Sequence, residues 1–302
     1  MTMTFHFSAI LLALTVATGT AEPAKKAPPT RSRANHATTP RAPIIGQPFD
    51  DAEVLRYLEA EGRKLYKAGK VKPVTTAARR CSLRLPDVPT ERISLPDAAK
   101  RAEAATVVLG EFFREKDAIA FSSAAGGFFV SESGAIVTSL HVLKEKDSRG
   151  FVALLRDGRV FPVQEALAAS PVEDLVVLQL EIPEGMKVTA LPLAAEPAPM
   201  GSQIAVISHP EEHFFLLSAG IVSRHTVWRE ENGDAHLMTI NADFAKGSSG
   251  CPVFDERGVV VGVVNNTESI YYDEDEKRRQ VDLQMVVKNA TPSWVLRHLV
   301  GE

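Results

Sequence analysis

NADFAKGSSGCPVFDERGVVVGVVNN, residues 241–266, decides the fold of this chain. Two apolar runs, Val253-Phe254 and residues 259–264, are split by Asp255-Glu256-Arg257-Gly258 and read as strands joined by a tight hairpin. Ahead of them, Lys246-Gly247-Ser248-Ser249-Gly250 sets glycines on both sides of a serine. Glycine reaches backbone conformations that other residues avoid, so the N–H groups of such a turn can converge on one point. A serine hydroxyl beside that point would have a ready-made oxyanion hole, which chemistry on an acyl group requires. Gly/Ser clusters are also ordinary loop punctuation, and this turn alone leaves both readings open.

Two upstream stretches decide between them. GGFFVSESGAIVTSLHVL, residues 126–143, closes a strand–turn–strand unit on His141. SPVEDLVVLQL, residues 170–180, opens the next strand on Asp174. Together with the serine turn, these stretches resemble the trypsin-like serine peptidases, most closely the HtrA/Deg-type bacterial branch. A fourth stretch, Ile207-Ser208-His209-Pro210 to Gly220-Ile221-Val222-Ser223, resembles that branch's Pro-containing loop and following strand. The match spans roughly residues 104–290 and keeps the order His, Asp, Ser. An α/β-hydrolase would run serine, acid, histidine around a G-x-S-x-G elbow, and Cys251 breaks that pattern.

The resemblance implies roles. Ser249 is the expected nucleophile, His141 the general base and then acid, and Asp174 the group that orients the imidazole. The N–H groups of Gly247 and Ser249 are the expected oxyanion hole. Glu173 and Asp157 are rival acids, and Cys251 is a rival nucleophile that the motif places two positions too late. The substrate pocket is expected from Asp243, Phe244, Lys246, Asn265, Asn266 and Thr267. Asp243 stands where an enzyme selecting Arg or Lys would carry its acid, and we read it as a loop cap. The chain departs from the pattern at Ser248, usually Asp or Asn, and at Cys251, usually Gly. A backbone requiring positive φ at 251 would resist cysteine. His209 stands where close relatives have Asn and reads as a surface imidazole. These departures keep a second reading open: a protease-like domain that binds peptides or partners without cleaving them.

With 302 residues, 45% hydrophobic and 24% charged, the composition is that of an ordinary globular protein. Residues 5–17 are apolar and uncharged, and Gly19-Thr20-Ala21 suits a signal-peptidase cut, so residues 1–21 read as a signal peptide and the mature chain as periplasmic or secreted. Residues 22–96 form a Pro-rich arm, mostly disordered apart from one helix near 51–68 with Val54, Leu55, Leu58 and Leu65 on one side. The arm carries 15 basic and 8 acidic residues, net +7, and the remaining 19 basic and 30 acidic give net −11. It is expected to touch the body mainly through charge and to be dispensable for its fold.

Residues 97–302 read as an all-β peptidase domain of two packed antiparallel barrels, closed by a helix over 293–300 with Trp294, Val295 and Leu299 inward. Strands are expected at 106–109, 128–130, 136–139, 151–155, 160–163 and 176–180, then at 203–207, 219–223, 237–241, 253–254, 259–264 and 281–286. The chain is expected to lack the PDZ domains that many HtrA-type relatives carry. No metal-ligand spacing appears, the acidic run 273–276 lacks EF-hand periodicity, and no cofactor is expected. The acidic body speaks against nucleic acid, which leaves polypeptides as the expected substrates. Cys81 and Cys251 read as unpaired thiols.

Overall fold

The computed structural model describes residues 40–43, 47–75, 80–143, 147–275 and 279–301. The signal peptide expected from sequence falls outside them, as do residues 22–39 and 44–46 of the linker expected over 22 to about 48. Two helices come first, α1 (Asp51–Lys67) and α2 (Leu95–Ala105). Asp50 caps α1 by accepting from the Ala52 N–H at 2.9 Å, and Ser94 caps α2 with Pro96 in its first turn.

Six strands follow: β1 (Thr106–Glu115), β2 (Ala118–Phe129), β3 (Ala135–Ser139), β4 (Ser148–Leu155), β5 (Val160–Ser170) and β6 (Leu175–Leu180). They close into a barrel in the order β1-β2-β3-β6-β5-β4. Six more, β7 (Gln203–Ser208), β8 (Leu216–Glu230), β9 (Gly233–Ile240), β10 (Pro252–Asp255), β11 (Val260–Glu274) and β12 (Gln280–Pro292), close in the order β10-β11-β12-β9-β8-β7. The chain ends in α3 (Ser293–Leu299).

Strand alternation explains how one sequence fills several cores. Side chains on a strand point alternately to its two faces. In β1, Val107 and Leu109 fill the interior of the first barrel with Phe129, Ile136 and Leu178. Val108 and Phe112 face the other way, into a shared core with Phe128, Leu154, the helices and the second barrel's Ala205, Ile207 and Phe254. The second barrel has its own interior, around Val206, Met238, Val253, Val261 and Val264. Both faces of β3 and of residues 106–112 in β1 are buried, so their apolar runs, 107–109 and 135–137, show no alternation.

Three expectations are corrected. First, α1 is not a loosely held tether. Val54 and Leu58 are 1% and 0% exposed within the shared core. A Cβ on Gly62 would come within 3.1 Å of Phe112 and Val152, and Tyr57 donates to the Gly158 carbonyl at 2.9 Å. The helix therefore belongs to the fold. Second, several strands run well beyond their apolar centres: β8, β11 and β12 reach 15, 15 and 13 residues. Their ends are polar or exposed and carry no burial alternation, so nothing in their pattern marks them as strand. Third, α3 buries Leu296 beside Val295 and Leu299, while Trp294 is half-buried with its ring edge-on to His236 at 4.8 Å.

Candidate active site

The two barrels bring three side chains together. His141 lies on the 3₁₀ turn Leu140–Leu143 that follows β3. Asp174 lies in the β5–β6 turn at φ 51°, a left-handed conformation that aspartate tolerates better than most residues. That conformation turns both its carbonyl and its carboxylate toward the histidine turn. The carbonyl accepts from the Leu140 N–H at 2.9 Å, and Oδ1 accepts from the His141 backbone N–H at 2.9 Å. Oδ2 lies 2.6 Å from His141 Nδ1. With the Nδ1 proton directed at this carboxylate, Nε2 is left as the basic nitrogen, and it lies 3.0 Å from Ser249 Oγ.

Ser249 sits on the turn of residues 245–250. Gly247 and Gly250 hold φ of 94° and 83°, the left-handed region that glycine enters without strain. A Cβ at Gly250 would run into Thr138 Oγ1 and the Gly126 carbonyl. The turn is fastened to the first barrel: Gly126 N–H donates to the Ser249 carbonyl at 3.0 Å, and Thr138 Oγ1 donates to the Gly126 carbonyl at 2.7 Å. Ser139 Oγ donates to the Val264 carbonyl at 3.2 Å, the same carbonyl that accepts from Gly250 N–H. Among the described residues, no backbone carbonyl takes the N–H of Gly247 or Ser249. Those two donors remain for a ligand.

The departures from the family pattern find their places. The positive φ falls on Gly250, not on Cys251, so the cysteine is unstrained. Cys251 is fully buried against Gly126 and His209, and burial drives its thiol pKa upward, away from the thiolate a nucleophile needs. Both cysteines are free. Ser248 is buried, and its hydroxyl has no hydrogen-bond partner among the described residues.

The rival acids are engaged elsewhere. Asp157 pairs with Arg159 at 2.6 Å. Glu173 is nearly buried and takes both the ring Nδ1 and the backbone N–H of His236, at 2.7 and 2.9 Å. Its own carbonyl accepts from Thr291 Oγ1 at 3.1 Å. Glu173 thus ties the turn carrying Asp174 to β9 and β12 of the other barrel. Sequence marked it only as an acid beside an acid. Its partners lie 63 and 118 positions away, so no local signal could have shown this.

The pocket candidates divide. Asp243 is 86% exposed at its side chain and pairs with Lys288 at 3.0 Å. Phe244 is buried and packs with the residues of the second barrel's interior. Lys246 and Thr267 are exposed. Asn265 donates to Thr291 Oγ1 at 3.0 Å, and Asn266 accepts from Asn289 at 3.0 Å. Both are partly committed to the barrel that carries them.

His209 is the clearest correction. It is 1% exposed, not a surface imidazole. Nε2 lies 3.2 Å from the Val107 carbonyl, and Nδ1 accepts from the Phe215 N–H at 3.0 Å. These partners define one neutral tautomer, and burial pushes its pKa down to about 4.

Comparison with known proteins gives the same frame. The family model for the trypsin-like peptidase domain matches residues 125–263. This segment is similar to trypsin-like peptidase domains. An uncharacterized protein of Sinorhizobium fredii is 31% identical over 149 residues, covering 49% of this chain and 22% of that one. A protein of Bartonella henselae named "Probable periplasmic serine endoprotease DegP-like" is 32% identical over 146 residues, covering 48% and 27%; its Brucella suis namesake is 28% identical over 137, covering 45% and 26%. The chain spans roughly a quarter of the length of these relatives. A solved HtrA-type protease with a decapeptide superposes with a TM-score of 0.52 at 18% identity, covering 67% of this chain and 64% of that one, a likeness of fold. The matched segment starts inside β2 and ends inside β11. Both helices that precede it in the chain, and α3 after it, lie outside the match.

Proposed function

We propose that this chain is an exported serine endopeptidase that hydrolyses peptide bonds through His141, Asp174 and Ser249. The observation that carries the reading is the continuous relay from Asp174 Oδ2 through His141 to Ser249 Oγ, at 2.6 and 3.0 Å. Ser249 Oγ attacks the scissile carbonyl while its proton passes to His141 Nε2. Negative charge develops on the carbonyl oxygen and is met by the N–H groups of Gly247 and Ser249, each worth roughly 3 kcal/mol where such donors have been removed. His141 then gives its proton to the leaving amine, and a water repeats the sequence to release the acid and regenerate the serine. Asp174 stays ionised, holds the tautomer and stabilises the imidazolium.

Export rests on the apolar segment 5–17 and on the periplasmic designation of the DegP-like relatives. Among the described residues, no helix is long and apolar enough to cross a membrane. The test of the function is casein cleavage by the purified mature chain. Cleavage should disappear in Ser249→Ala and survive largely intact in Cys251→Ser. Casein bound but left uncut by the native chain would favour the peptide-binding reading instead.

A further inference from the structure

The loop of residues 209–215 holds three non-glycine residues at positive φ: Glu211 at 47°, Glu212 at 65° and Phe215 at 56°. Left-handed conformations at such residues are unfavourable and persist only where the surroundings over-determine them. One face of this loop touches the nucleophile turn. The Glu211 N–H donates to the Lys246 carbonyl at 2.8 Å, and a Cβ on Gly247 would come within 2.6 Å of the His209 carbonyl. A trans peptide directs its C=O and its N–H to opposite sides. With the Lys246 carbonyl held by Glu211, the Gly247 N–H is directed away from the loop and stays available to an oxyanion.

The other face of the loop rests on the segment that leads into α1. Asp51 Oδ1 accepts from the Phe214 N–H at 3.1 Å, and its Oδ2 lies 3.5 Å from His213 Nδ1. Phe49 sets its ring edge-on to Phe215 at 6.4 Å between centroids. The buried Arg156 lies over both rings, 4.6 Å from Phe49 and 5.6 Å from Phe215, and pairs with Glu103 at 2.6 Å. Its guanidinium also donates to the Gln47 carbonyl at 3.4 Å. Inside the loop, the Phe215 N–H is fixed by His209 Nδ1.

We propose that residues 47–51 brace the 209–215 loop and, through Glu211, hold the Lys246–Gly247 peptide in the orientation that forms the oxyanion hole. Phe49, Asp51 and Arg156 are then positioning residues: they touch no substrate and act through the Lys246–Gly247 peptide, far from each of them along the chain. The inference rests on the peptidase reading above. It also assigns the region before the peptidase domain a part in controlling that site. Whatever displaces 47–51 relaxes the strained loop and disables the site without touching His141, Asp174 or Ser249.

The test uses the full mature chain carrying Asp51→Ala, Phe49→Ala or Asp51→Asn, with Glu61→Ala on the same helix as control, since among the described residues the ion pair of Glu61 is with Lys64 on the helix surface. Fluorophosphonate labelling rates and kcat and KM on a casein-derived peptide are measured beside thermal melting. Asp51→Ala and Phe49→Ala should lower kcat and labelling by about tenfold or more, short of the 10²–10³ or so expected for complete loss of one donor, with KM little changed. Asp51→Asn should restore the rate, because its Oδ1 still accepts from Phe214. Amide exchange at 209–215 and 246–250 should quicken in Asp51→Ala and Phe49→Ala but not in Asp51→Asn or Glu61→Ala. Unchanged labelling in both brace variants, or an equal fall in Glu61→Ala, overturns the brace. A native chain that never reacts with the probe defeats the peptidase reading instead. Exchange then decides the brace alone: faster at 246–250 in Asp51→Ala supports it, and unchanged overturns it.

Discussion

Asp174 serves three donors because its left-handed backbone points carbonyl and carboxylate to the same side. Asparagine tolerates the same backbone, so Asp174→Asn should fold normally. Its amide, however, would donate to Nδ1 and leave the proton on Nε2, facing Ser249. Peptide turnover should fall by about 10⁴, as expected for the wrong tautomer, with melting unchanged. A similar loss in Glu173→Gln or Asp157→Asn, with Asp174→Asn active, would reassign the acid. His209 makes a different prediction, on stability. Its pKa lies near 4 in the fold and about 6.5 in the unfolded chain. Above about pH 6.5 it is neutral in both states and has no effect. Between about 6.5 and 4 only the unfolded chain takes up the proton, so stability falls as pH drops, by about 3 kcal/mol in all, and levels off below. Urea midpoints of the native chain should therefore decline across that window more steeply than those of His209→Gln. Equal slopes would show that the imidazole is not held neutral.

Helix α1 looks like part of a tether in sequence because its flanks are rich in Pro and Arg, and such flanks bury little. Its apolar stripe does signal an amphipathic helix, but not what that stripe meets. The answer is the outer face of the first barrel, where a Cβ on Gly62 would sit 3.1 Å from Phe112 and Val152, so the helix packs closely there. Leu58→Ala should cost about 2–5 kcal/mol, the range for emptying a buried leucine site. A chain starting at Ser94 should melt far below the mature chain, because it loses Val54, Leu58, Val71 and the backbone bonds from Cys81 and Leu83 to the end of α3. If that short chain melted with the mature one, the helix would be peripheral after all.

Across the two barrels, what sequence revealed and what it hid separate by distance along the chain. His141, Asp174 and Ser249 each sit in a short motif whose pattern is local, and both barrels follow from runs of alternating or fully apolar residues with turn signals between them. Asp157-Gly158 marks its hairpin in the same local way, with Gly158 at φ 87°. The burial of His209 was hidden because it depends on Val107, 102 positions earlier. Glu173 reaching His236 and Asp51 reaching Phe214 were hidden for the same reason, with separations of 63 and 163. Glu211 acts through its backbone N–H, which no side-chain pattern can announce. All this scaffolding converges on one hydroxyl, that of Ser249, which we propose it activates. The direct measurement is mass-spectrometric mapping of the adduct formed when the mature chain meets a fluorophosphonate. One probe group per chain, on Ser249 and absent from His141→Ala, is the predicted result; an unmodified Ser249, or an adduct on another residue, would contradict it.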